Sequence, residues 1–382
     1  MRAIQIHEYG GPDVLRRVDI DVPKPGAGEV LVRVVAAGIN FMDVHTRQGK
    51  YRDSRTYPVR IPCTLGMEGA GEVVEVGAGV TSVRAGDRVA WCIVWGAYAE
   101  YAVVPAARLA RIPDDIAYDL AAAAIFQGST AHYLLDDVGK LEAGMTCLVH
   151  AASGGIGQLL VQLAKRRGVE VFATTSTADK AAIARARGAD HVLLYEHGGF
   201  ADRIRELTDG RGVDVVFDAV GKTTLRDSFR ATRVRGLVVN YGSVTGPISD
   251  LDPYELGEAG SLFLTRPRLA DHLADAITVQ RRADDVFAAI AQGGVACRNQ
   301  RTLHAGQRRG RARRSRGTPP VGQGGDGHRV VPTGHSSDAA SGPAMRKRHR
   351  WRNSFLGPRG TAFHIRLAAA PRTLKAAARK SA

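Results

Sequence analysis

The chain has 382 residues, enough for two or three domains with buried cores, and it carries a formal net charge of +15. From Arg298 onward there are 20 Lys and Arg residues and two acids, whereas residues 1–296 contain 33 basic and 36 acidic residues, a net charge of −3. The basic excess therefore belongs to the last part of the chain, and the first 296 residues have the charge balance of an ordinary globular protein.

Neither secretion nor membrane insertion is expected. The sequence begins without the apolar segment of a secretory signal, and it contains no run of about 18–20 apolar residues that would span a bilayer. The four cysteines lie far apart without a Cys-x-x-Cys pair, which argues against a disulfide framework or a zinc knuckle. We therefore expect a reduced, cytoplasmic protein.

Residues 1–125 have the pattern of a β-rich domain. Short apolar runs with partial alternation are separated by Gly and Pro, which is typical of strands joined by turns. Strands are predicted over 29–39, 71–80, 86–91 and 97–105. A helix is predicted over 119–135, leading out of this domain.

Residues 126–265 predict an α/β domain with a doubly wound parallel sheet. Continuous apolar strands alternate with amphipathic helices that end at Gly168, Gly188 and Gly210. Because both faces of such a sheet are covered by helices, its strands are apolar throughout. A return helix over 269–293 dominates residues 266–296, and no helical or strand periodicity follows it.

The stretch "HAASGGIG" (150–157) follows a predicted strand and opens a predicted helix, with Ala152, Gly154 and Gly157 at the spacing G-x-G-x-x-G. Small residues let the backbone approach a pyrophosphate, and the helix N-terminus offers free N–H groups. The pattern predicts a dinucleotide-binding turn; the alternative is a tight turn without a ligand. The expected contacts are Ser153, Gly154, Gly155, Ile156 and Gly157.

The residues after the second strand of this domain favour NADPH over NADH. An acid is usual there in NAD-binding proteins, because it accepts from the ribose hydroxyls. This chain has Thr174, Thr175 and Ser176 instead, and Lys180 follows at a distance suited to a 2′-phosphate. The alternative for Lys180 is a solvated surface lysine.

A set of ordered motifs identifies a resemblance over residues 1–292. They are "GINFMD" (38–43), "LGMEGAGEVVEVGAGV" (65–80), "AGDRV" (85–89), "GAYAEY" (96–101), "HAASGGIG" (150–157), "DAVG" (218–221), "NYGSVTG" (240–246) and "SLFLTRP" (261–267). The chain resembles the NADPH:quinone oxidoreductase branch of the medium-chain dehydrogenase/reductase superfamily, the branch that includes zeta-crystallin. The resemblance implies a GroES-like domain, a Rossmann domain, and a cleft between them for nicotinamide and substrate.

The same resemblance indicates whether this chain has the residues of a zinc site. Zinc-dependent relatives have a Cys near "GIN" and a His in "GHEGAG", where this chain has Phe41-Met42 and Met67. Glu68 remains, but one carboxylate does not make a zinc site. We expect no metal, and therefore reduction of an electron-poor acceptor rather than oxidation of an alcohol.

The resemblance also implies site residues. Asn40 should lie near the nicotinamide amide and the acceptor, and Tyr51 at the rim of the active site as a hydrogen-bond donor. The alternative for Asn40 is a residue that only forms a turn, and the alternative for Tyr51 is a partly buried tyrosine that only packs against its neighbours. His45 is expected to be a solvated loop histidine. The remaining implied cofactor contacts are Thr130 and Thr175 with Ser176, the 2′-phosphate pair Lys180 and Tyr195, and the nicotinamide-side segments Tyr241, Gly242, Ser243, Leu264 and Thr265.

Residues 297–382 depart from the family. A back-translation of residues 297–305 read one base later gives Ala-Gly-Ile-Asn-Glu-Arg-Tyr-Thr-Leu, and one of residues 322–326 gives Gly-Lys-Val-Val, both similar to the family's usual ending. Our interpretation is that a one-base frameshift near 293–297 replaced that ending with a basic, disordered tail. The tail includes "RRGRARRSRG" (308–317), but it lacks interleaved aromatics and any RNA-binding signature, so no specific nucleic-acid partner is expected.

Four functions remain open from the sequence. The first is an NADPH-dependent quinone reductase, forming a homodimer through edge strands of its Rossmann sheet. The second is an enone or enoyl-thioester reductase on the same scaffold. The others are a non-catalytic NADPH-binding protein and a nonspecific nucleic-acid-binding protein.

Overall fold

The computed structural model describes residues 1–195, 199–296, 302–304 and 364–366, the last two segments as backbone only. It contains a β-rich domain followed by an α/β domain, which confirms the fold class predicted from the sequence. The part of residues 297–382 expected to form a disordered tail lies, apart from two short strands, outside the described residues.

The first domain is built from antiparallel strands around a small apolar core. Val32, Val73, Val89 and Trp91 are fully buried in it. One sheet has the order β2-β1-β4, and the other contains β3-β5-β6-β8, with β7 also pairing with β3. Its elements are β1 (Arg2–Ile6), β2 (Arg16–Asp19), β3 (Glu29–Gly38), α1 (Phe41–Arg47), β4 (Cys63–Thr64), β5 (Glu68–Val76), β6 (Arg88–Cys92), β7 (Tyr101–Pro105) and β8 (Leu109–Arg111).

Helix α2 (Tyr118–Tyr133) joins the two domains and packs against both of them. It contacts β3, β5 and β6 of the first domain as well as the first helix of the second. Its alanine-rich sequence allows this close approach, because alanine combines high helix propensity with a small side chain. A wider helical turn, Leu134–Val138, continues the helix before the chain enters the second domain.

The second domain is a parallel six-stranded sheet, as the alternating pattern predicts. The strand order is β11-β10-β9-β12-β13-β14, so the chain reverses direction across the sheet between β9 and β12. Every residue of β12 is buried, because helices cover both faces. Its elements are β9 (Thr146–Val149), α3 (Gly155–Arg166), β10 (Glu170–Thr175), α4 (Ala178–Ala186), β11 (His191–Leu194), α5 (Phe200–Leu207), β12 (Val213–Asp218), α6 (Leu225–Ala231), β13 (Thr232–Asn240), α7 (Tyr254–Glu258) and β14 (Phe263–Thr265).

The return helix is shorter than the sequence predicts. Helix α8 (Ala276–Ala291) starts seven residues later than expected, after a single turn of 3₁₀-helix at Leu269–His272. The side chain of Asp275 accepts a 2.7 Å hydrogen bond from the N–H of Thr278 and so caps the helix. Aspartate is a strong N-cap, which explains why helical periodicity in the preceding residues does not become regular helix.

Two three-residue strands complete the described chain. β15 (Thr302–His304) pairs with β16 (His364–Arg366), and β16 lies antiparallel to Gly38–Ala36 of β3. None of the described helices has the length and apolar character needed to cross a membrane.

Candidate active site

Asn40 is a buried residue in the short connection between strand β3 and helix α1. It is the N-cap of α1, and its backbone N–H donates to Asp43 Oδ2 at 2.7 Å. The Asn-x-x-Asp spacing produces this reciprocal cap. The predicted turn-forming role is therefore present, and it fixes the direction in which the Asn40 side chain leaves the backbone.

The Asn40 side chain binds a buried carboxyl group. Its Nδ2 donates to Glu68 Oε2 at 2.7 Å, and the backbone N–H of Phe126 donates to Glu68 Oε1 at 2.7 Å. Burial raises the pKa of Glu68 to about 8, although both hydrogen bonds favour the charged form. Glu68 is thus mainly protonated at pH 7, and it ties the first domain to the interdomain helix.

Asp43 organises the loop that holds Met67. It accepts hydrogen bonds from the Tyr98 hydroxyl at 2.9 Å and from the Met67 N–H at 3.2 Å, and burial raises its pKa to about 6. Met67, at the position where zinc-dependent relatives have a histidine, is fully buried. The described residues contain no group of three His, Cys, Asp or Glu side chains that could hold a metal ion.

A row of aromatic rings runs from helix α1 into the loop that follows it. The ring centroids of Phe41 and His45, and of His45 and Tyr51, are both 6.1 Å apart, and those of Tyr51 and Tyr57 are 5.4 Å apart. Phe41 is 49% exposed, whereas Tyr51 is half-buried. Burial raises the pKa of Tyr51, so its phenol is protonated at neutral pH.

The expectation for His45 was wrong. It lies within helix α1 rather than in a solvated loop, and it is half-buried between two aromatic rings. Burial, together with the nearby charge of Lys50, lowers its pKa to about 4. His45 is therefore neutral at pH 7 and is not a proton source there.

One hydrogen bond near Tyr51 connects the two domains, and a second set holds the same segment within the α/β domain. Lys50 Nζ donates to Ser243 Oγ at 3.1 Å, across 193 residues of sequence. Arg266 Nη1 donates to the carbonyl oxygens of Asn240 at 2.6 Å and Gly242 at 2.9 Å. The segment after β13 is thus held from both sides, and the predicted segments Tyr241–Ser243 and Leu264–Thr265 lie together, because β13 and β14 are neighbours.

The glycine turn has the geometry that a dinucleotide site requires. Ala151 adopts a left-handed conformation with φ of +50°, and Gly154 is the N-cap of α3. A Cβ on Gly157 would lie 2.5 Å from the Ala151 oxygen, so only glycine allows the helix to pack this closely on the preceding strand. The first N–H groups of α3, from Gly155 to Gly157, have no acceptor within the helix and are available to an anion.

The residues predicted to select the nucleotide lie at the carboxyl ends of β10 and β11. Lys180 Nζ donates to Ser176 Oγ at 2.5 Å, and Thr177 caps α4 by accepting from the Lys180 N–H. Thr175 pairs with Leu194 in the sheet, so Ser176 and Tyr195 follow on adjacent strands. The structure brings Ser176, Lys180 and Tyr195 to one place, where a 2′-phosphate is expected.

The side chain of Thr130, another predicted cofactor contact, forms its hydrogen bond within its own helix. Its hydroxyl donates to the Phe126 carbonyl at 2.7 Å within helix α2, and its side chain is buried. The hydroxyl proton of Thr130 is therefore already used within helix α2.

The sequence analysis missed a buried polar network beneath the glycine turn. His150 contacts Thr174 Oγ1 at 2.6 Å and Ser228 Oγ at 3.0 Å, and Ser228 donates to Asp218 Oδ2 at 3.1 Å. All four residues are fully buried, and the network links β9, β10, β12 and helix α6. Sequence spacing cannot predict such a network, because its members come from four separate parts of the chain.

Comparisons with known proteins agree with this geometry. The family called alcohol dehydrogenase GroES-like domain matches residues 26–114, and the family called zinc-binding dehydrogenase matches residues 155–262. The quinone oxidoreductase of Pseudomonas aeruginosa is 40% identical over 295 residues, which are 77% of this chain and 89% of that protein. The 2-haloacrylate reductase of a Burkholderia species is 38% identical over 76% of this chain and 88% of that protein.

A solved structure shows the same arrangement. The Escherichia coli quinone oxidoreductase in complex with NADPH is 34% identical, with a TM-score of 0.76 over 80% of this chain and 93% of that chain. The two matched domains and the cleft between them define a medium-chain dehydrogenase/reductase. Within that class, the chain belongs to the quinone oxidoreductase family, in its zinc-independent branch.

Proposed function

We propose that the protein is an NADPH-dependent quinone reductase. The observation that carries this proposal is the combination at one cleft of a dinucleotide turn, a lysine and serine in place of the acid that NAD requires, and a row of aromatic rings. The quinone oxidoreductase relatives, one of them solved with NADPH, support the same activity.

The residues of the cleft orient the reaction and exclude water. When bound, NADPH supplies a hydride, and a quinone takes up that hydride and one proton to give a quinol and NADP⁺. Asn40, held by Glu68, positions the nicotinamide amide, and Tyr51 donates a hydrogen bond to the acceptor oxygen. The quinol takes its proton from water, so no dedicated acid is required.

The cofactor contacts divide between the two ends of the dinucleotide. The N-terminus of α3 would hold the pyrophosphate, and Lys180 and Tyr195 would hold the 2′-phosphate. The remaining segments would contact the nicotinamide. The proposed contacts are Ser153, Gly154, Gly155, Ile156 and Gly157 for the pyrophosphate, Thr175 and Ser176 with the 2′-phosphate pair, and Asn40, Thr130, Tyr241, Gly242, Ser243, Leu264 and Thr265 for the nicotinamide.

A second candidate is the reduction of an electron-poor carbon–carbon double bond. The 38% identical 2-haloacrylate reductase supports it, because an acrylate accepts hydride at carbon, as an enone does. Steady-state assays with a benzoquinone and with 2-cyclohexenone distinguish the two: faster turnover of the quinone supports the first candidate, and faster turnover of the enone supports the second.

We also propose a cytoplasmic homodimer that pairs through the edge strand β14. Its Phe263 is 60% exposed and the neighbouring Val234 on β13 is 63% exposed, which is unusual for large apolar side chains on a sheet edge. Cys63, Cys92 and Cys147 are buried free thiols, as suits a reducing compartment. Light scattering of the wild type and of Phe263→Glu tests the interface: a dimer that the variant leaves intact contradicts it.

We also propose the domain boundaries that the sequence predicts. They are a catalytic domain over 1–125, a cofactor domain over 126–265, a return segment over 266–296 and a tail over 297–382. Two relatives align over 76–77% of this chain and 88–89% of their own length, which supports a departure from the family near the tail. Sequencing the gene tests the frameshift interpretation, which an uninterrupted reading frame shared with close relatives would contradict.

A further inference from the structure

Three cationic side chains lie near Tyr51 and Tyr57: Lys50, Arg266 and Arg268, here called the cation cluster. Each lies close enough to a neighbour for their charges to interact, and two of them act on the phenol of Tyr51. The guanidinium carbon of Arg268 also stands 5.9 Å from the centre of the Tyr57 ring. The cluster therefore surrounds one end of the aromatic row.

The described residues provide no carboxylate partner for any member of the cluster. Lys50 binds a serine hydroxyl, Arg266 binds two backbone carbonyls, and Arg268 binds the hydroxyl of Thr56. Three acids act on this region, but none of them forms an ion pair with the cluster: Asp43 accepts from Tyr98, Asp218 accepts from Thr224, and the exposed Asp271 acts on Tyr57. Like charges held together with only neutral partners create a local positive potential.

The positive potential opens onto the cleft. Lys50, Arg266 and Arg268 are exposed to solvent, yet the surrounding protein lowers the pKa of both Lys50 and Arg266, first through burial and then through mutual repulsion. A charged group that is partly desolvated but still reachable binds an anion more strongly than a fully hydrated one does.

The cluster lies too far from the adenosine end to serve the 2′-phosphate. Ser243 follows β13, and Lys180 lies in the first turn of α4, the helix after β10; strands β9 and β12 lie between β10 and β13. Three interstrand spacings separate them by roughly 14 Å. The cluster is therefore not the site of the 2′-phosphate.

We propose that the acceptor site selects planar quinones or enones that carry an anionic substituent, such as a carboxylate or sulfonate, recognised by Lys50, Arg266 and Arg268. This inference rests on the proposed function and names its substrate class. The aromatic row contacts the planar ring, and the cluster binds the anionic group at its edge.

The test compares kcat/KM for 1,4-naphthoquinone-2-sulfonate and neutral 1,4-naphthoquinone with saturating NADPH. We expect a ratio of about ten or more in favour of the sulfonate, reduced about fivefold by Lys50→Gln and by Arg268→Gln, as for the loss of one charge-assisted contact. Lys24→Gln, an exposed lysine outside the cluster, is the matched control and should leave the ratio unchanged. Raising the salt concentration should increase KM for the sulfonate only.

The outcomes distinguish the anion-recognition inference from the proposed reductase function. A ratio near one, or a high ratio that neither cluster variant changes, overturns the anion-recognition inference while leaving the reductase intact. A high ratio that is insensitive to both the variants and salt would come from the greater intrinsic reactivity of the sulfonate. Absence of NADPH oxidation with either quinone overturns the proposed function and this inference together.

Discussion

Replacing Glu68 with Gln should change how the stability of the first domain depends on pH. Glu68 is fully buried, and its pKa is raised from 4.5 to about 8, mainly by burial. A carboxyl group whose pKa is higher in the folded chain stabilises the fold fully below the unfolded pKa. That contribution is lost as pH rises through the folded pKa. The relevant window is therefore pH 4.5–8.

The magnitude follows from this difference in pKa. One pKa unit corresponds to about 1.4 kcal/mol, so the free energy of unfolding should fall by about 2.5 kcal/mol between pH 5.5 and 7.5 through Glu68 alone. Glu68→Gln removes this dependence. At pH 5.5 the variant should be less stable by about 1–3 kcal/mol, because Asn40 Nδ2 and the Phe126 N–H lose one of their two acceptors.

Urea unfolding followed by Trp91 fluorescence measures the effect, because Trp91 is fully buried in the same domain. The quantity to compare is the stability difference between wild type and variant at the two pH values, since contributions from other groups cancel. Glu75→Gln, an exposed residue on the same strand, is the matched control. The reasoning is refuted if Glu68→Gln retains the pH dependence of the wild type.

Two further predictions concern the cofactor site. Gly157→Ala should lower stability by about 1–3 kcal/mol and weaken NADPH binding about tenfold, because its Cβ would meet backbone atoms. Calorimetry should show no such loss for Gly257→Ala, where a Cβ meets nothing within 4 Å, and equal affinities for the two variants would contradict the proposed turn. Lys180→Gln should lower kcat/KM for NADPH by about ten- to a hundredfold through the lost charge-assisted contact, and leave NADH little changed. An equal loss for both cofactors would show that Lys180 does not read the 2′-phosphate.

The sequence predicted the fold and the tight turn between β9 and α3 well, for physical reasons. Apolar runs with strand and helix periods dictate the parallel sheet, and the glycine spacing after a strand dictates the turn at Gly154 and Gly157. These signals are local, so a single sequence contains them. The same applies to Ser176 and Lys180, which lie four residues apart at one helix start.

The acceptor half depends on contacts that no local pattern reveals. Lys50 meets Ser243 only because two domains dock, and Asn40 meets Glu68 through the pairing of β3 with β5. The sequence also predicted the start of α8 too early, because helical periodicity continues before the Asp275 cap. Tertiary packing decides such features, whereas sequence periodicity does not.

Anaerobic stopped-flow mixing of the full-length protein and NADPH with 1,4-benzoquinone follows the proposed hydride transfer itself. The measurement is the loss of NADPH absorbance, corrected for the uncatalysed reaction between NADPH and the quinone. We expect rapid loss of one NADPH per quinone reduced, and much slower loss with NADH. NADPH that binds yet stays unoxidised with the quinone would show that the protein is not a quinone reductase.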